Sequence, residues 1–121
     1  MKKIVVGGQI DKKEVAELIE KYGEGKFEIE TKSDLEAAMA LKSGSADYYF
    51  GACNTGGGGA LAMAIALVGR AATVTVSMPG NLMSEEKIRE NVNDGKKAFG
   101  FTAQHKETVI PTIMDELKKI N

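Results

Sequence analysis

Short apolar runs alternate with amphipathic stretches along the whole chain of 121 residues. Residues 3–6 are the first run, read as a strand that breaks at Gly7-Gly8-Gln9. Asp11 then offers an N-cap with Glu14 three residues on, and Val15, Leu18 and Ile19 set a helical stripe that Gly23 and Gly25 close. In residues 26–31, Phe27 and Ile29 alternate with Glu28 and Glu30, the pattern of a strand with one wetter face at a sheet edge. Ser33-Asp34-Leu35-Glu36 is a capping box; Leu35, Ala38, Met39 and Leu41 continue it as a second helix that Gly44 stops. Residues 47–51 form a third strand, and a glycine loop leads into a third helix over 59–68. A β-branched fourth strand over 72–76 precedes a loop over 77–82, and Ser84 caps a fourth helix through Asn91. Residues 97–101 make the fifth strand. The last helix carries Val109, Ile110, Ile113, Met114, Leu117 and Ile120. Pro111 has no N–H to donate and suits only the first turn, so this helix is expected to start near Thr108.

Five strand–helix units without a long linker predict one α/β domain over residues 1–121: a Rossmann-like, three-layer, parallel five-stranded sheet with helices on both faces. The commonest doubly wound order, 2-1-3-4-5, is the expected one. Its ligand crevice lies at the carboxyl ends of strands one and three, where Gln9 and the Cys53 loop would face each other.

Composition narrows the function classes. A net charge of -1 argues against a nucleic-acid partner, which demands a basic surface. The longest uncharged stretch, 48–69, is broken by four glycines and by Asn54 and Thr55, so no membrane span is expected. One cysteine cannot form an internal disulfide and no signal-peptide pattern opens the chain, which makes the cytoplasm the expected location.

Candidate chemistry concentrates in the segment Cys53-Asn54-Thr55-Gly56-Gly57-Gly58-Gly59. Glycines let a backbone approach a ligand closely, and the unpaired N–H groups of a first helical turn favour an anion. No Lys follows the glycines, so this is not a Walker A loop. Cys53 at a helix start is a candidate base, because the helix dipole favours a thiolate there; a small buried hydrophobe is the plainer reading. No Cys-x-x-Cys exists and the only His is distant in sequence, so neither a metal nor another cofactor is expected. His105 follows the fifth strand and is either an acid–base group or a plain loop residue. Ser77, Asn81, Thr102 and Gln104 share the same expected rim and suit hydroxyl recognition. The third helix has no polar side chain from Ala60 to Val68, which predicts cover on every side, either by a homodimer or higher homo-oligomer contact or by the domain's own loops.

Two resemblances rest on these residues. Nearly the whole chain is similar to the YhfU-type family of uncharacterised bacterial proteins. The match runs through Asp47-Tyr-Tyr-Phe-Gly-Ala-Cys-Asn-Thr-Gly, the Ala-rich helix, Pro79-Gly80, Gly95-Lys-Lys-Ala-Phe-Gly and Pro111. More distantly, Cys53, Thr55, Gly56 and Gly58 resemble the strand-three signature of ribose-5-phosphate isomerase type B and the galactose-6-phosphate isomerase subunits. The stretch from Ser84 through Arg89-Glu90 to Ala98-Phe99-Gly100 is similar to that family's approach to strand five. This resemblance implies a phosphosugar site at the glycine loop, dimers, and Cys53 as the base of an aldose–ketose isomerisation. The chain departs from that family at Gly8-Gln9, where Asp-His stands, and at Asn91-Val92, where His-Asn stands.

The functional expectation is a phosphorylated or otherwise anionic small metabolite held by Thr55 and the N–H groups of Gly56 to Gly59, with Gln9, Asn54 and Asn81 orienting hydroxyls. An isomerase-like enzyme with Cys53 as base is one form of it. The alternatives are a non-catalytic sensor or interaction subunit, and a phosphotransfer domain phosphorylated on Cys53.

Overall fold

A computed structural model describes residues 1–54 and 57–121. Its strands are β1 (Lys2–Gly8), β2 (Phe27–Thr31), β3 (Tyr48–Cys53), β4 (Thr73–Thr75), β5 (Ser77–Met78), β6 (Asn81–Leu82) and β7 (Ala98–Thr102). The helices are α1 (Lys12–Gly23), α2 (Asp34–Ser43), α3 (Gly57–Val68), α4 (Glu85–Asn93) and α5 (Lys106–Ile120). Five parallel strands form one sheet in the order β2-β1-β3-β7-β4. The Rossmann-like α/β class therefore holds, and so does the edge position of β2.

The order differs from 2-1-3-4-5 at the far side, where the last strand inserts between the third and fourth. Burial explains the exchange. The β7 sequence Ala-Phe-Gly-Phe-Thr is buried at all five positions, whereas the three residues of β4, Thr-Val-Thr, keep two partly exposed. An apolar strand gains most at the centre, and a short Thr-rich one suits an edge.

Right-handed crossovers place connections that run in opposite directions along the sheet on opposite faces. Hence α2 and α3 pack side by side on one face, while α1, α5 and α4 form a layer on the other. Each face has its own core. Ile4, Val6, Phe50, Phe99 and Phe101 meet Ile110, Ile113 and Met114 on the three-helix side. Val5, Tyr49, Ala98, Ala37, Leu41 and Leu61 make up the smaller core on the two-helix side. Alternation of side chains along each strand supplies both sets.

Gly7, Gly51 and Gly100 lie in register on three adjacent strands. A Cβ on Gly7 would stand 2.7 Å from the Tyr49 ring and 2.9 Å from Ala37 Cβ, and one on Gly100 would stand 2.5 Å from Leu61 Cγ. This bare row lets α2 and α3 settle close to the sheet.

Several local readings are corrected. Asp11 does not cap α1: it adopts a left-handed φ of 55° without a side-chain capping bond, and its carboxylate instead meets Lys106 Nζ at 3.4 Å. Glu24, not a glycine, takes the left-handed position that ends α1, with Gly25 next to it. Ser33 caps α2 as expected, with its Oγ accepting from Glu36 N at 3.1 Å and donating to Glu36 Oε1 at 2.9 Å. The stripe of α2 is rotated, however. Ala37, Ala38, Ala40 and Leu41 are buried, while Leu35 and Met39 point outward. Ala37 packs against the glycine row at Gly7, where an added Cβ would stand 2.9 Å from the Ala37 Cβ. The expected loop over 77–82 is the antiparallel ribbon β5–β6, turned by Pro79-Gly80 with Gly80 at a φ of 73°. Finally, α5 starts at Lys106 rather than near Thr108, so Pro111 lies inside it. One missing backbone bond is outweighed by the burial of Val109, Ile110, Ile113, Met114 and Leu117.

Candidate functional site

The chain leaves β1 and β7 toward α1 and α5 on one face and leaves β3 toward α3 on the other. Both neighbours of β3 thus diverge from it, which is where open α/β sheets hold their ligands. Gln9 and Ile10 donate their backbone N–H groups to Ala52 O at 2.9 and 3.3 Å, which pins the first turn against the end of β3.

Gly8 is the hinge of that turn. Its φ is 79°, and a Cβ there would lie 2.6 Å from Ala52 N and 2.8 Å from Ala52 O. Its N–H lies 3.1 Å from both Asp34 Oδ1 and the Tyr49 hydroxyl oxygen. The Tyr49 hydroxyl in turn donates to Asp34 Oδ1. Burial first, and then the Asp34 carboxylate, push the phenol above its ordinary pKa of 10.0, so it stays a donor. Together these groups join the β1 turn to the start of α2.

Cys53 is the last residue of β3, not part of the following loop, and its side chain is 0% exposed. Alternation puts it on the same face as Tyr49, beneath the two-helix layer. Beside it in register is Thr102, also fully buried, whose hydroxyl donates to Asn54 O at 3.3 Å. Ser77 Oγ accepts from Thr102 N at 3.1 Å. Gln9, Cys53, Asn54, Thr102 and Ser77 therefore gather along one edge, as the sequence predicts. Gln9 and Asn54 are exposed there, whereas Thr102 and Ser77 are engaged in holding backbone. Thr55 and Gly56 lie outside the described residues; Gly57, Gly58 and Gly59 open α3.

His105 precedes α5, and its Nδ1 is buried without a hydrogen-bond partner among the described residues. Next to it, Lys106 bridges Asp11 Oδ2 at 3.4 Å and Ala103 O at 3.4 Å, tying the turns after β1 and β7 together on the three-helix side. Asn81 is exposed on the β5–β6 ribbon, where it lines a pocket of about 250 Å3 with Thr75, Ser77 and Met83. A larger cleft of about 720 Å3 opens at the opposite, amino edge, near Lys2, Lys26, Phe27 and Lys118. It contains none of the candidate residues, and Lys2 and Lys118 are paired with Asp47 and Glu24.

Sequence reasoning missed Asp34, Tyr49 and Lys106. A tyrosine inside an apolar strand was a usable signal, because a buried hydroxyl needs a partner. Nothing in the sequence signalled that Lys106 would meet Asp11.

The helix starts at this edge differ in charge. The first turn carries Glu14 in α1, Asp34 and Glu36 in α2, Glu85 and Glu86 in α4, and Glu107 in α5. In α3 it carries no acidic residue. Four helices thus meet their own partial positive charge with a carboxylate, and α3 does not.

The fold defines a Rossmann-like α/β protein, with the candidate residues gathered at the carboxyl edge beside β3. The chain belongs to the family of proteins of unknown function DUF2620, which matches residues 2–117. It is 43% identical over 118 residues to the uncharacterized protein YhfU of Escherichia coli K12, covering 98% of this chain and 100% of that one. YhfU of Shigella flexneri is similar to the same extent. No solved structure gives a match to the chain. Among the described residues, no helix is long and apolar enough to cross a membrane.

Proposed function

We propose that this protein binds a phosphorylated or similarly anionic small metabolite at the carboxyl edge of its sheet, where β3 turns into α3. The observation that supports this reading is the contrast among the helix starts: α3 begins with three glycines and no carboxylate at a topological switch point. Gln9 and Asn54 are exposed beside it, and their amides suit hydroxyl or carbonyl groups of the ligand. Full burial of Cys53 favours the binding half of this reading over isomerase-like proton transfer, in which the thiol must meet a substrate carbon. The single cysteine also suits a reducing compartment, and we place the protein in the cytoplasm.

A thermal-shift panel of phosphate, sugar phosphates and uncharged sugars at matched ionic strength tests the proposal. A specific anionic ligand at 100 times its Kd adds about 2.7 kcal/mol of stability. Gly58→Asp supplies the missing first-turn carboxylate. It should stabilise the unliganded protein by about 0.3–1 kcal/mol and abolish the response to the anion. A wild type that folds but responds to no anion overturns the proposal in favour of an interaction subunit.

A further inference from the structure

The face formed by α2 and α3 stays apolar where it meets solvent. Leu35 and Met39 on α2 are 50% and 55% exposed, Met63 on α3 is 41% exposed, and Ala62 and Ala66 are exposed beside it. The other large exposed apolar residues among those described, Met1, Met78, Leu82 and Ile120, lie near the chain ends or on the ribbon. No charged side chain occurs between residues 57 and 69. Charges stand only at the two ends of this layer. Glu36 is exposed at the carboxyl edge, and Lys42 and Arg70 are exposed at the amino edge. Neither Lys42 nor Arg70 has a salt-bridge partner among the described residues.

We propose that this face is covered by a second copy of the chain, with the two α2–α3 layers packed antiparallel about a two-fold axis. Such an axis sets the same patch on both copies. It turns the Glu36 end of one layer over the Lys42–Arg70 end of the other, twice per dimer, whereas a parallel arrangement opposes like charges. Helices of 10 and 12 residues are about 15 and 18 Å long, and two of them about 10 Å apart make a layer about 20 Å wide. That footprint is about 300–360 Å2 per copy, below the roughly 800 Å2 per partner of stable complexes, so the dimer is weak and forms only as concentration rises.

Sedimentation velocity on the full chain across about two decades of concentration tests this. The wild type shifts from monomer to dimer, and both Met39→Glu and Met63→Glu remain monomeric throughout with unchanged far-UV circular dichroism. Lys42→Glu alone weakens the dimer several-fold, and adding Glu36→Lys restores it. A wild type that stays monomeric overturns the proposal, as does a dimer that survives both methionine substitutions. A dimer lost in those variants but indifferent to the charge exchange overturns the antiparallel arrangement.

Discussion

The two helical faces of the sheet solve the same packing problem by different means. On the three-helix side, Arg89 of α4 donates to Asp115 at 2.6 Å and Glu116 at 2.8 Å on α5, and to Glu85 at 2.8 Å on its own helix. Asn93 adds a bond to Glu116 at 2.8 Å. Large aliphatic and aromatic side chains fill the space beneath this clamp. On the two-helix side there is no comparable clamp among the described residues. Glycines and alanines bring the helices close to the strands, and methionines remain outside. A face finished by its own ion pairs is closed to partners; one built on close approach, with little charge, is open to them. The candidate anion site lies at the margin of the open face, at the start of α3.

Destroying the close approach should have the largest effect. Gly100→Ala places a Cβ against Leu61, which is itself 1% exposed, and should cost roughly 2–3 kcal/mol in urea unfolding. In combination with Leu61→Ala, the loss should be smaller than the sum of the two single losses, because the clash is gone. Additive losses would refute the close-packing account.

Removing the clamp comes next. Arg89→Ala leaves Asp115 and the largely buried Glu116 without their main partner and should cost roughly 2 kcal/mol at neutral pH. Because α4 and α5 lie on the other face, the Arg89→Ala loss should add to that of Gly100→Ala; strong coupling between them would contradict the separation of the two cores.

The smallest effect is one of pH. The Arg89 guanidinium, followed by the Asn93 amide, holds the Glu116 carboxyl below its ordinary 4.5, and Arg89 likewise holds Asp115 below 3.8. The unfolded chain therefore takes up these protons more readily than the folded one. Their contribution is complete above the unfolded values and declines as pH falls through the lower folded values. Glu116→Gln should flatten the acid limb of stability below about pH 4.5, measured by urea unfolding at several pH values. An unchanged limb would mean that Glu116 is not held in this way.

Much of the architecture was legible in local pattern. The alternation of apolar runs and helical stripes marked the elements, and the capping signals at Ser33 and Ser84 form in the structure. These features depend on neighbours within a few residues, so the chain states them directly. The same holds for the glycine run after β3, which marks the candidate segment in the sequence itself.

What the sequence determined by itself was therefore the α/β class, the edge strand β2 and the location of the candidate site after β3. Tertiary structure alone decided the strand order, because exchange of β4 and β7 depends on burial summed over the whole sheet. It also turned Leu35 and Met39 outward, through a glycine row assembled from three distant strands. The Gly8–Asp34–Tyr49 joint and the Asp11–Lys106 bridge belong with these, for their partners are far apart in sequence. Local propensity reaches only across a turn, whereas register, helix rotation and buried hydrogen bonds are set by whatever the folded chain brings within a few ångströms.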